Sequence, residues 1–485
     1  MTTLWYHPPP ARSVATVHNT SLRSTSATAG PGLTSAGLLT LLLGAALNVI
    51  DFFIVNVALP TIDADLQASS ATLEMVVAGY GIAFAVLLVL GGRLGDAFGR
   101  RRMFRIGLSA FTVTSLVCGL APNATTLVLA RIAQGAAAAL AMPQVLASIQ
   151  ARTSGAERVR AVGYYAANSG ISMVIGQVLG GALVAGLGWR TIFLVNVPIG
   201  IVTLVLARHT VPESRSADPL GVDGRGTVLL GATLLALLVP LTVGRAMGWP
   251  AWSVGMLAAA PVLACVLAVV ERRVERAGRV PLLPPSVLRL PSMRRGLGVA
   301  VPFFTGFGGF MFVCALLLQD GMGMGPFDAG LALAPLAVGF FAASLANARM
   351  VARYGRSVVV AGFALQIVGL LVVLATVSGG WPDLTALDIA PGTLIVGFGQ
   401  GMAMTTVVGL TLSQVPAARA GAGSGVFTTA QQTFLALGVA LLGGLYGELA
   451  GTAGPRAGFV VVAGVYALAL VGIVLLSRRL PDPRA

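Results

Sequence analysis

Between residues 35 and 477 the chain passes through fourteen apolar runs of about 18–25 residues, each set off by a short loop. A run of that length crosses a hydrocarbon core of ~30 Å as a helix. The remaining composition agrees. Hydrophobic residues make up 56% of the chain, charged residues 10%, and the mean hydropathy is +0.88. An average soluble domain carries about 25% charged residues, and a soluble chain of 485 residues could not cover its surface with so few. The sequence therefore reads as an all-α integral membrane protein with fourteen spans.

The charge pattern fixes the orientation. The net charge is +14, and every one of the 31 basic residues is arginine. With the amino terminus inside, 27 arginines fall in cytoplasmic segments. Only Arg190, Arg245 and Arg456 fall outside, and Arg131 lies within a span. That bias places both termini in the cytoplasm and requires an even number of helices. It also accounts for the basic charge without nucleic acid, which is not expected as a partner. Residues 1–32 are rich in Ser, Thr, Ala and Pro, with no apolar core of signal-peptide type, and read as a disordered cytoplasmic tail.

Several chemistries are disfavoured. Cys118, Cys265 and Cys314 lie inside apolar runs without metal or disulfide spacing, and His7, His18 and His209 fall in the tail and one loop. No cofactor and no metal is expected. With no lysine in the chain, a G-x-x-x-x-G-K-[ST] nucleotide loop is impossible, so energy must come from a gradient. An integral membrane enzyme would need an intramembrane His, a paired carboxylate or a nucleophile with its base, and none is visible.

The chain also repeats itself. GGRLGDAFGR at 91–100 aligns with NARMVARYGR at 347–356, and RIAQGAAAAL at 131–140 with GFGQGMAMTT at 397–406. Both matches fall at corresponding places, after the second helix of a half and inside the fourth. The expected organisation is a six-helix bundle over 33–210, two linking helices and loops over 211–280, a second six-helix bundle over 281–478, and a short tail over 479–485. Repeated halves around a midplane site are a transporter architecture.

Two local features carry mechanism. GGRLGDAFGRRR, 91–102, ends the second helix; its glycines permit a tight turn and Arg100–Arg102 would meet headgroups. Asp96 there either bonds a neighbouring arginine or faces the amino-terminal end of a helix in the other half, as a latch on the cytoplasmic side. The second copy has Ala352 at that place. NVIDFFIVNVALPTI, 48–62, holds one acid, Asp51, in an apolar run that normally excludes charge.

These stretches resemble the major facilitator superfamily. The loop resembles its signature in Gly92, Leu94, Asp96, Gly99, Arg100 and Arg101. IDFFIVNVALP at 50–60, GWRTIFLVNVPIG at 188–200 and ARIAQGAAAA at 130–139 resemble the first helix, the fifth-to-sixth helix junction and the fourth helix of the fourteen-helix drug:proton antiporters. The resemblance covers about 35–477. It implies the major facilitator fold, two six-helix bundles plus two additional central helices, with helices 1 and 4 lining a central cavity.

Asp51 lies about eight residues, or ~12 Å, from the outer end of helix 1. Arg131 lies about seven residues, or ~10 Å, from that of helix 4. Matching depth and the cost of two unpaired buried charges suggest an Asp51–Arg131 pair. It is either a permanent structural ion pair or the proton-coupling device. On helix 5, Gly163, Gly176, Gly180 and Gly181 match the antiporter motif, while Ser172 replaces a glycine and Gln177 its proline. The G-x-x-x-G step Gly176–Gly180 is equally what close helix packing requires. Asn48, Asn56, Gln134 and Gln319 are candidates for the cavity lining.

The resemblance thus implies a proton-coupled exporter of drugs or hydrophobic small molecules, multi-pass in the cell membrane and working by alternating access as a monomer. Its expected partners are a hydrophobic substrate, protons and the lipid bilayer. A symporter or uniporter of other cargo is the alternative. The scarcity of buried acid points to neutral, zwitterionic or mildly cationic cargo.

Overall fold

An apolar run in lipid has no water to satisfy its peptide groups, so it satisfies them along its own axis. In the computed structural model the runs are helices. It describes residues 32–215, 223–244, 247–279, 281–416 and 420–480. The amino-terminal tail apart from residue 32, residues 481–485 and Arg245 lie outside these.

The first half comprises α1 (Ser35–Leu66), α2 (Ser70–Phe98), α3 (Arg100–Gly119), α4 (Ala124–Arg152), α5 (Gly155–Leu187) and α6 (Thr191–Leu194 continuing as Asn196–Thr210). Two helices follow, α7 (Gly224–Val243) and α8 (Ala251–Arg276). The second half has α9 (Pro291–Leu316, ending in a π-turn to Gly321), α10 (Pro326–Tyr354), α11 (Ser357–Gly380) and α12 (Ala386–Leu412). It closes with α13 (Ala420–Gly438, through a π-turn to Gly444–Ala453) and α14 (Pro455–Ser477).

Thirteen of these helices are long and apolar enough to cross a membrane. The fourteenth, α3, spans the run expected at 104–121, but Arg100, Arg101, Arg102 and Arg105 crowd its first turns and lower its hydropathy. Side chains of Thr34, Ser69 and Asn123 cap α1, α2 and α4, each accepting from a backbone N–H in the first turn.

The halves repeat each other in packing. In the first, α2 packs on α4, α3 on α4, α1 on α5 and α6, and α3 on α6. In the second, α10 packs on α12, α11 on α12, α9 on α13 and α14, and α11 on α14. The halves meet along two seams, α5 against α10 and α2 against α13. The additional pair α7–α8 stands beside only one of these, with α7 packed on α2 and touching α13.

Close approach depends on glycine at particular places. A Cβ on Gly135 of α4 would fall on the Tyr80 carbonyl of α2, and one on Gly91 of α2 on the Ala139 carbonyl of α4. Between α2 and α3 the chain turns at Gly99 with φ +106°, a conformation that favours glycine.

Candidate functional site

Asp51 projects from α1 into the interior of the first half, where α4 delivers Arg131; both side chains are 0% exposed. Arg131 Nη1 donates to Asp51 Oδ2 at 2.5 Å and to Gln134 Oε1 at 2.8 Å, and its Nε donates to the Val76 carbonyl of α2 at 3.0 Å. The other carboxylate oxygen, Oδ1, accepts from Gln134 Nε2 at 2.9 Å and from Asn196 Nδ2 at 2.8 Å. Asn196 Nδ2 also donates to Ser115 Oγ of α3 at 3.1 Å, and Ser115 donates to the Phe193 carbonyl at 2.9 Å. Cys118 Sγ reaches Gln134 Oε1 at 3.6 Å. Arg131 Nη2 has no hydrogen-bond partner, but the guanidinium carbon lies 4.4 Å from the Tyr80 ring centre and 5.7 Å from that of Phe193.

Side chains and backbone from five helices thus enclose one carboxylate. Removing two charges from water costs several kcal/mol per ion, and short hydrogen-bonded geometry is what offsets it. The packing that holds α1 in place comes from α5. A Cβ on Gly176 would stand 3.0 Å from the Ile50 carbonyl, and one on Gly180 would stand 2.6 Å from Ile54. The G-x-x-x-G step therefore presses on α1 immediately either side of Asp51. Gly181 is buried, whereas Gly163 is exposed with open space where a side chain would stand. Gln177 is buried with Oε1 unpartnered, and its backbone carbonyl packs on Gly330 of α10 across the seam.

The residues expected to line a cavity stand elsewhere in this structure. The pair and Gln134 do not line a cavity here. They are sealed inside the first half, because Gln134 sits one turn beyond Arg131 and its amide is used by Asp51 and Arg131. Asn48, Asn56 and Gln319 are likewise buried; Asn48 donates to the Gly44 carbonyl, Gln319 to that of Ala315, and each of the three leaves its side-chain oxygen unpartnered. Where α1 and α2 meet α13, Phe52, Val77, Gly81, Gln432, Leu435 and Val439 line an apolar pocket of about 10 Å³, room for one water.

The loop motif folds on itself. Asp96 pairs with Arg100 at 2.7 Å along the chain, and among the described residues it makes no ion pair with the other half. Gly92 lies near Pro143 of α4, and Leu94 is half-buried. The amino-terminal end of α3 is grasped by the segment after α6. Arg100 N–H donates to the Ser214 carbonyl at 2.9 Å, Arg101 N–H to Glu213 Oε1 at 3.0 Å, and Arg101 Nη1 to the Val211 carbonyl at 3.3 Å. Arg152 of α4 also donates to the Glu213 carbonyl. Beside the motif, Arg93 Nη2 donates to the Pro281 carbonyl at 2.7 Å, while Glu271 of α8 accepts from Leu283 N–H at 2.9 Å.

Sequence reasoning singled out neither Asn196 and Ser115 nor Glu213, Arg93 and Glu271. Asn196 lay within the quoted 188–200 stretch, as a polar residue in an otherwise apolar start to helix 6.

The signature of the Major Facilitator Superfamily matches residues 41–439. The chain belongs to this superfamily, and it is a multi-pass membrane transporter. It is 37% identical over 87% of its length to the probable actinorhodin transporter of Streptomyces coelicolor, of which it covers 76%. It is 36% identical to the puromycin resistance protein pur8 of Streptomyces alboniger, over 84% of this chain and 80% of that one. With the cephamycin export protein CmcT of Amycolatopsis lactamdurans it shares 34% identity, over 94% and 93% of the two chains. The crystal structure of the human organic anion transporter MFSD10 (TETRAN) shares the fold, with a TM-score of 0.62 at 14% identity, over 90% of this chain and 99% of that one.

Proposed function

We propose that this protein is a proton-coupled exporter of hydrophobic, antibiotic-like small molecules, resident in the cytoplasmic membrane with both termini inside. The observation that carries the coupling is the enclosed carboxylate: Asp51 is 0% exposed, held by Arg131 at 2.5 Å, and surrounded by donors. Protonation removes the charge that Arg131, Gln134 and Asn196 hold, so each of the three bonds loses its charge assistance and weakens. A carboxylate that changes three partners on two helices on taking one proton converts a proton gradient into helix movement. The membrane potential contributes about 2.3 kcal/mol per charge per 100 mV to drive it. The moving bodies are residues 33–210 and 281–478, which rock about the two seams and expose the space between them to each side in turn. The export direction and the cargo class are carried by the relatives, whose names speak of an antibiotic's transport, resistance or export.

The test uses inside-out vesicles holding a pH gradient. Actinorhodin, puromycin and a cephamycin, the compounds the relatives are named for, are each added while the gradient is followed. At least one is expected to discharge it in the presence of the protein, and Asp51→Asn to abolish that response. Discharge that persists unchanged in Asp51→Asn would move the coupling elsewhere. Cargo movement that ignores the gradient would leave a uniporter.

A further inference from the structure

We propose that Asn196 is a positioning residue through which α6 reads the charge of Asp51 and passes it to the cytoplasmic gate loop. The inference rests on the reading of Asp51 as the proton carrier.

Asn196 opens the second part of α6, one residue after the helix breaks at Val195, and is 1% exposed. Its amide orientation is fixed by counting hydrogens. Ser115 gives its only hydrogen to the Phe193 carbonyl, so its oxygen can only accept, and Asn196 must turn Nδ2 toward both Ser115 and Asp51. Asn196 Oδ1 is consequently buried with no partner. Leaving an amide oxygen unpaired is costly, and the arrangement persists because it presents a donor to an ionised carboxylate. When Asp51 is neutral the bond loses its charge assistance, and the hold of Asn196 on α1 weakens.

The other end of the same helix explains where the change goes. From Asn196 to Thr210, α6 runs about 21 Å toward the cytoplasmic side. The segment that follows supplies Val211, Glu213 and Ser214, which hold the first two residues of α3 next to Gly99 of the gate motif. One helix therefore has Asn196 on the proton site and its exit on the gate.

The titratable groups facing Asp51 are Arg131 of α4, Tyr80 of α2 and Cys118 of α3. The described faces of α5 and α6 against it present glycine and asparagine. An altered titration of Asp51 in an Asn196 variant is thus read against a fixed set of neighbours.

The experiment is infrared titration of the purified full chain in lipid, following the protonated-carboxyl band that Asp51→Asn removes. Asn196→Ala is expected to raise the midpoint of that band by about one pH unit, the worth of one charge-assisted hydrogen bond. Ser115→Ala frees the Asn196 amide without deleting it and is expected to shift the midpoint the same way by less; it serves where Asn196→Ala does not fold. The gate end supplies the readout that a merely structural role would leave unmoved. Glu213→Gln is expected to raise the midpoint by about half a pH unit in the wild-type background and to leave it unchanged in the Asn196→Ala or Ser115→Ala background, because coupling is reciprocal. An unmoved midpoint in both network variants, or an equal Glu213→Gln shift in every background, overturns the inference while leaving Asp51 as the carrier. If Asp51→Asn removes no titrating band, the coupling reading itself fails and this inference falls with it.

Discussion

The fourth helix of each half packs on the second helix in the same register, and the two halves fill that register with opposite chemistry. In the first half Gly135 sits against the Tyr80 carbonyl, and one turn earlier Arg131 donates to the Val76 carbonyl. In the second, Gly401 sits against the Phe340 carbonyl, and one turn earlier Gly397 sits against the Leu336 carbonyl. Gln134 and Gln400 stand at the same step. The second half thus has no side chain where the first has its guanidinium. Its interior is aromatic instead: Phe303 lies 5.4 Å from Phe363 between ring centres, Phe310 5.7 Å from Tyr466, and Tyr466 hydrogen-bonds Gln366 at 3.2 Å. Besides its apolar core, one bundle encloses a buried ion pair; among the described residues the other is packed with aromatic and aliphatic side chains. The difference teaches that a duplicated fold can divide its labour, with the buried ion pair, among the described residues, in one copy only.

The comparison can be broken at its strongest point first. Asp51→Ala strands the buried Arg131 guanidinium and is expected to cost about 3–5 kcal/mol, read as a large fall in unfolding temperature in detergent. Asp51→Asn with Arg131→Gln should recover much of that loss, since no unpaired charge remains. In the aromatic half, Phe303→Ala is expected to cost about 3–4 kcal/mol by leaving a cavity. The pH dependence of transport should nonetheless stay where it was; a shifted profile would erase the division between halves. Gly397→Ala drives a methyl into the Leu336 carbonyl and is expected to cost about 1–3 kcal/mol, again without moving the pH profile. The smallest effect belongs to Asp96→Asn. That pair is partly exposed, 28% at Asp96 and 15% at Arg100, so stability should change by under about 1 kcal/mol in the same melting experiment.

Much of this was legible in the residues. Long apolar runs and the placement of arginine gave the spans, and the alignment of 131–140 with 397–406 names the register that the packing displays. Asp51 and Arg131 stood out because a lone charge in lipid demands a partner, and depth along a helix can be counted. Their neutral neighbours could not be found so. Whether a serine or an asparagine faces inward depends on helix phase, which apolar composition alone does not fix at Ser115 or Asn196. Gln134 was placeable in principle, three residues from Arg131 on the same face, yet side-chain spacing alone does not say whether that face meets a cavity or a bundle interior. Glu213 and Arg93 act through loops, whose course apolar periodicity does not record.

The fastening of Arg93 to the Pro281 carbonyl and of Glu271 to Leu283 N–H has a mechanical consequence. The covalent bridge between the halves is tied to α2 and α8 almost to its end, so it is not a slack tether. Ser286 is tied as well, its N–H donating to Glu275 of α8, so if the halves turn as rigid bodies while these bonds hold, the bending must be taken up between Val287 and Leu290, just before α9 begins at Pro291. Pro284, Pro285 and one short helical turn, Pro285–Leu288, lead into it. Under the rocking motion proposed above, so short a hinge would limit how far the halves part, and the stroke would be set by a few residues before α9 rather than by the length of the chain that joins them.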